Sequence, residues 1–374
     1  MAGSAARFKR APTVVSYWTD DRLVFHNFAT GVQIAADPLT TAVLHFFSDW
    51  RSADSLWRAT PGVSRASVRQ AVAKLARLSF LLRPGHRRAP FASWADWNPA
   101  AGFFHCSTKD VHYESEYGLA GEGVADAFGP MPPATRRRRR ARRTALPPVM
   151  LGGEFVDVLR QRRTWRRFSR APVTLDALSA LLQLTFGLQH WLSIPSVGRV
   201  ALKTSPSGGA RHAIECYVWA RNVAGLPRGL YHYAMDRHEL ARLRAAPRAP
   251  VTRYLPTQTW FNGAAAVVVM TAVFPRVQWR YRFPRAYRTV LAEAGHVCQT
   301  FCLTATWLDL APFCSMALAD SVIERDLGVD GVTESVLYVA GVGARPRDAQ
   351  RHFPGDVRAD LVDRRSVVVP GVPG

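Results

Sequence analysis

The chain is poor in lysine, acidic side chains and cysteine, and it lacks any long apolar run. Only four of its 49 basic residues are lysines, namely Lys9, Lys74, Lys109 and Lys203. Arginine therefore supplies the excess over 28 acidic residues that gives a formal net charge of +21. So general an excess reads as compositional bias, which weakens the nucleic-acid reading a strongly basic protein invites. It still favours acidic partners, and an acidic peptide serves as well as a nucleic acid. The five cysteines, Cys106, Cys216, Cys298, Cys302 and Cys314, are odd in number and contain no CxxC pair. That argues against a disulfide framework. No stretch reaches the roughly 18 apolar residues of a membrane helix, and the longest, Gly263 to Phe274, reads as a buried strand. Met1 to Pro12 is basic with no apolar segment behind it, so no secretory signal and no membrane partner are expected. The expected location is the cytoplasm.

What is present divides the 374 residues into parts. From residue 14 to 84, Val14–Trp18 and Leu23–Phe28 read as paired strands turning at Asp20-Asp21, with a third strand at Gly31–Ala35. Asp37-Pro38 opens a helix expected to run through Trp50. Ser52 starts a second helix, and Ser64 caps a third from Arg65 to Leu78 whose apolar residues are Val68, Val72, Leu75 and Leu78. Strands with three helices make a small winged-helix-like module, which binds DNA or peptides. Residues 85–148 form an irregular connector holding Arg136 to Arg140, Arg142 and Arg143. It reads either as a dock for an acidic chain or as a solvated linker. Residues 149–350 mix helices and strands without a regular βαβ repeat, so the fold class is α+β. Residues 351–374 are a tail.

Chemistry concentrates in that third part. Arg162, Arg163 and Arg166 surround the Thr164 hydroxyl, and guanidinium forks bind phosphate oxygens bidentately. Downstream, Ser205-Pro206-Ser207-Gly208-Gly209 is a side-chain-poor turn whose glycines let backbone approach a flat ring closely. A dinucleotide fingerprint fails: Gly341-Val342-Gly343 follows a strand, but Ala344-Arg345-Pro346 adds no third glycine and blocks a helix. A mononucleotide carrying its own redox ring, FMN, fits better. Cys298 and Cys302 sit four apart on an expected helix near His296. Two thiols are too few for a metal set, so they read as small apolar fillers and no metal site is expected.

The order of these segments resembles the nitroreductase superfamily, and within it the SagB-type peptide dehydrogenases of azole-forming ribosomal peptide pathways. The carrying motifs are Arg162 to Phe168, Ser205 to Glu215, Gly229-Leu230-Tyr231-His232-Tyr233, Glu293 to Gln299 and Tyr338 to Gly343. The resemblance implies a nitroreductase-like FMN domain working as a homodimer, with each flavin at the subunit interface. Carried over by position, Arg162, Arg163, Thr164 and Arg166 would hold the phosphate and ribityl chain. Pro206, Ser207, Gly208 and Gly209 would face the ring, and Arg345 and Arg347 are further phosphate partners. The N-terminal module resembles the peptide-recognition elements that seize a leader segment by adding it as a strand.

One departure matters. Azoline dehydrogenases of this family are expected to carry a Lys-Tyr pair ahead of the long helix, and the matching place here reads Arg280-Tyr281. Arginine cannot accept a proton. Tyr281 can, or it is an aromatic anchor between surface charges. The implied activity is an FMN-dependent two-electron oxidation of a ribosomal peptide, azoline to azole, alongside partner biosynthetic enzymes. A second option is oxidation or hydroxylation of another, aromatic peptide side chain. From a different class stands a non-catalytic DNA- or peptide-binding winged-helix protein.

Overall fold

A computed structural model describes residues 6–85, 91–110, 153–194, 198–244 and 247–346. The arginine run 136–143, Arg347 and the tail 351–374 lie outside the described residues. The chain divides into two compact units, the first built from residues 1–109, 273–291 and 330–334, the second from the remainder. Among the described residues no helix is long and apolar enough to cross a membrane.

In the first unit, Val14–Thr19, Arg22–Asn27 and Val32–Ala35 form an antiparallel meander. Helices Pro38–Phe46, Ala53–Arg58 and Arg65–Arg77 follow, and the side chains of Asp37, Ser52 and Ser64 each accept an N–H of the first turn. The first helix stops at Phe46, short of Trp50. Ser48 and Asp49 compete with helix through their own side chains, and Asp49 accepts the Trp50 N–H at 2.8 Å. Fully buried Phe47 enters a core with Leu44, Val68, Val72 and Leu75. A second small sheet runs in the order Arg51–Ser52, Arg7–Arg10, Leu81–Leu82. The unit thus carries more strand than a winged-helix likeness implies.

An aromatic cluster closes the same unit. Trp94 meets Phe274 at 4.8 Å between ring centroids, and Trp94 and Trp97 are wholly buried. Burying rings of this size contributes on the order of 4–6 kcal/mol each. Their indole N–H groups donate to Val332 O at 3.0 Å and Tyr281 O at 2.9 Å. Buried His105 lies between Tyr287 Oη at 2.8 Å and Gly331 O at 3.0 Å. A neutral ring satisfies both: Nε2–H donates to the carbonyl and Nδ1 accepts from the hydroxyl. Burial pushes its pKa down to about 4.

The second unit is organised by a six-stranded sheet in the order Glu239–Arg244, Gly229–Ala234, Ile214–Ala220, Ala266–Val273, Glu334–Ala344, Leu310–Ser315. Ile214–Ala220 and Ala266–Val273 pair antiparallel, from Ile214 opposite Ala272 to Ala220 opposite Ala266. The run Ala266-Val267-Val268-Val269-Met270 is buried throughout, as a central strand covered on both faces requires. Thr174 caps helix Leu175–Phe186, and Ala286–Trp307 is a long helix. The mixture is α+β.

Gly341 and Gly343 do not follow a strand; they lie inside Glu334–Ala344. A Cβ on Gly341 would meet the Phe313 ring at 2.5 Å, and one on Gly343 would meet Phe168 at 2.6 Å. These glycines exist for ring packing, with Phe313 itself stacked on Phe261 at 3.9 Å. Strand Leu310–Ser315, helix Asp320–Leu327 and the hairpin His190–Ile194 with Gly198–Leu202 were not anticipated from the sequence.

Candidate functional site

The long helix presents one polar face to the Ser-Pro-Ser-Gly-Gly turn. Glu293, His296 and Thr300 recur at helical spacing on it. Thr300 Oγ1 donates to His296 O at 3.0 Å, which leaves the Ser205 hydroxyl to donate to Thr300 Oγ1 at 2.6 Å. His296 Nδ1 faces Pro206 O at 3.3 Å. The Ser207 hydroxyl donates to Glu293 Oε2 at 2.6 Å and accepts from the His212 backbone at 2.8 Å. The other oxygen, Glu293 Oε1, accepts from Ile214 N at 3.3 Å. Burial pushes the Glu293 carboxyl up, and the bonds from Ser207 and Ile214 pull it back.

Held this way, the turn adopts a left-handed backbone. Gly209 has φ 60°, and Ala210 and His212 follow at 52° and 43°. Residues other than glycine pay for that conformation in strain, of order 1–3 kcal/mol each, and the anchors on the helix sustain it. Gly208 opens the same short 3-10 turn. Glu293 is the residue that sequence reasoning left without a role: it was visible only as part of a motif, and its function depends on contacts across 86 positions.

The arginine segment lies beyond the C-terminus of helix Glu154–Gln161, where Arg162 is the C-cap. Arg163 Nη1 donates to Arg160 O and Arg162 O, both at 2.7 Å. The buried Trp165 donates its N–H to Pro312 O at 2.9 Å, which lays the segment along strand Leu310–Ser315. Arg162, Arg163, Thr164 and Arg166 are all half-buried. Burial lowers the Arg166 pKa, because it disfavours the charged form. Arg345 clasps the end of the long helix: its guanidinium donates to Leu310 O at 3.0 Å, to Thr306 O at 3.1 Å and to Asp309, and covers the Trp165 ring at 5.5 Å.

The turn and the arginine segment therefore meet the same helix at different heights. The turn is anchored at residues 293–300, and the Arg345–Trp165 pair sits at Thr306. Ten residues at 1.5 Å rise separate His296 from Thr306 by about 15 Å. Along this stretch lies a cavity of about 580 Å³, lined by Phe155, Val158, Leu184, Thr204, Leu303 and Trp307 among others. In its lining, Trp307 Nε1 donates to Glu154 Oε1 at 2.6 Å. Deeper in the sheet, His232 Nε2 meets the buried Glu215 Oε2 at 2.7 Å.

Tyr281 and Arg280 belong to the first unit. Tyr281 is half-buried, its carbonyl accepts from Trp97, and its ring meets Phe283 at 6.1 Å. Arg280 is exposed. Arg347 lies outside the described residues.

The sequence pattern of the nitroreductase family matches residues 159–344. A Methanocaldococcus jannaschii protein named a nitroreductase is 31% identical over 176 residues, which cover 47% of this chain and 85% of that one. The trifolitoxin-processing protein TfxB of Rhizobium leguminosarum bv. trifolii is 29% identical over 171 residues, covering 44% of this chain and 46% of TfxB. The chain thus spans about half the length of that relative. Among solved structures, the E. coli microcin synthetase McbBCD complex with truncated pro-MccB17 bound is similar at 20% identity and TM-score 0.46, over 63% of this chain and 85% of that one. With the extent of the first two matches and the α+β architecture in place, the chain belongs to the nitroreductase family of oxidoreductases.

Proposed function

We propose that this chain uses FMN to carry out a two-electron oxidation on a ribosomally made peptide, as the SagB-type enzymes do, with azoline-to-azole dehydrogenation as the reaction. The observation that carries the reading is the Ser205–His212 turn, strained at Ala210 and His212 and held through Glu293 to the same long helix that the Arg345–Trp165 pair meets at Thr306. The donor set fits the group. Half-buried Arg162, Arg163, Thr164 and Arg166 offer guanidinium forks and a hydroxyl suited to a phosphate. A Cβ on helical Gly295 would meet nothing within 4 Å, so the helix is open there, on the side away from Glu293 and Thr300.

Bound FMN would supply an acceptor for the substrate's hydride. Pro206, Ser207, Gly208 and Gly209 would line the ring, and Tyr281 would take the proton. Arg345 would brace the phosphate pocket through Trp165, with Arg347 its neighbour in sequence. The exposed apolar side chains Phe155, Leu159 and Trp307 support a homodimer that covers them. The name of TfxB, a trifolitoxin-processing protein, supports a processing role; the peptide substrate and partner enzymes are part of the proposal. Edge strands Val14–Thr19 and Val32–Ala35 offer places where a leader segment could add.

Arg280 at the expected lysine position supports a second reading, oxidation or hydroxylation of an aromatic side chain. Two measurements test these proposals. Purified protein is expected to be yellow and to release FMN on denaturation; colourless protein that refuses FMN and binds DNA with a steep salt dependence overturns the reading. Mass spectrometry of the peptide product separates the reactions: loss of two hydrogens is dehydrogenation, gain of one oxygen is hydroxylation.

A further inference from the structure

Three thiols from two elements converge in the second unit. Cys298 and Cys302 are four residues apart on the long helix and so share one face. The third, Cys314, comes from strand Leu310–Ser315, where it pairs opposite Ala340. The three sulfur atoms lie within 4.8 Å of one another. Cys298 and Cys302 are buried, Cys314 is half-buried, and none is in a disulfide. The Tyr338 hydroxyl donates to Cys314 Sγ at 3.8 Å. Cys216, wholly buried in the central sheet, does not belong to the group.

We propose that Cys298, Cys302 and Cys314 form a three-thiolate site for a thiophilic d10 cation, zinc or copper(I). Geometry supports it. Metal–sulfur bonds of about 2.3 Å in a tetrahedral site place sulfurs roughly 3.8 Å apart, so the cluster needs to contract by at most about 1 Å. Soft thiolate donors select this class of ion. No histidine or carboxylate joins the group among the described residues. Copper(I) is satisfied by three sulfurs, whereas zinc would complete its shell with water at the half-exposed Cys314 side. Tyr338 supports the site from outside the sulfur set, as ligand-orienting hydrogen bonds do. The readout is separate from the flavin: metal is counted whether or not FMN is bound.

The test uses the full chain, reduced, stripped of metal and titrated without oxygen against a competing chelator, with zinc in one arm and copper(I) in the other. One equivalent of at least one of these ions is expected to bind. Alkylation mapped by peptide mass spectrometry is then expected to fall together at Cys298, Cys302 and Cys314 and to persist at Cys106. Cys314→Ser and Cys302→Ser each weaken binding at least about tenfold, while Cys106→Ser leaves it unchanged. Binding of neither ion overturns the proposal. So does binding that survives both serine variants, or alkylation of the three cysteines that metal leaves unchanged. Should a serine variant unfold by circular dichroism, the alkylation pattern of the unsubstituted protein decides alone.

Discussion

The Ser207 hydroxyl donates to Glu293 Oε2 at 2.6 Å while accepting the His212 N–H at 2.8 Å, so one buried carboxylate ties a loop to a helix through a single side chain. Ser207→Ala leaves both the carboxylate oxygen and the His212 N–H without this partner. The expected cost is about 1–3 kcal/mol, read as a lower denaturation midpoint, together with weaker FMN retention. Ser207→Thr keeps the hydroxyl and is expected to restore most of the loss. An alanine variant as stable as the parent would show that the clamp contributes nothing.

Arg162→Gln and Arg166→Gln remove forks proposed to hold a phosphate. Bonds to charged groups contribute about 1.5–3 kcal/mol, so each variant is expected to weaken FMN binding about 10- to 100-fold. Unfolding of the flavin-free protein should be little changed. Equilibrium dialysis with FMN separates the two quantities.

Gly295→Ala is expected to stabilise the flavin-free monomer by up to about 1 kcal/mol, since alanine is the better helix former and no atom lies within 4 Å of the added Cβ. If the open space receives a second copy, the same variant loses the dimer. Thermal melting beside size-exclusion chromatography distinguishes these outcomes.

His105 makes stability pH-dependent. Burial holds its folded pKa to about 4 against 6.5 for the ordinary side chain. Between those values the unfolded chain takes up a proton that the folded chain refuses. Stability is therefore fully present above about pH 6.5 and declines as pH falls toward 4, by up to roughly 3 kcal/mol. His105→Gln should flatten the slope in that window, measured by urea unfolding across pH.

Tyr281→Phe removes the proposed proton acceptor and leaves the aromatic contact with Phe283. Turnover of the peptide is expected to fall while FMN retention stays level. Unchanged turnover assigns Tyr281 to packing alone.

Local chemistry was legible in advance. Asp37, Ser52, Ser64 and Thr174 each stand before a helix, and each caps one, because capping is decided within three residues. The uninterrupted Ala266–Met270 run could only be a buried strand. Leu310–Ser315 escaped notice because Pro312 interrupts it and its partner lies far along the chain. The glycines at 341 and 343 read as residues following a strand rather than within it, because the rings that need their space, Phe313 and Phe168, are distant in sequence.

The sequence by itself determined the class of fold, the two basic and glycine-rich motifs and the family they resemble, since these rest on residue type and short spacing. Only the tertiary structure decided that Glu293, His296 and Thr300 grip the turn, that Arg345 covers Trp165, and that Cys314 joins Cys298 and Cys302. Hydrogen bonds and sulfur contacts act over about 3–4 Å of space, whatever the number of residues between them, and only the folded backbone brings such partners within that reach.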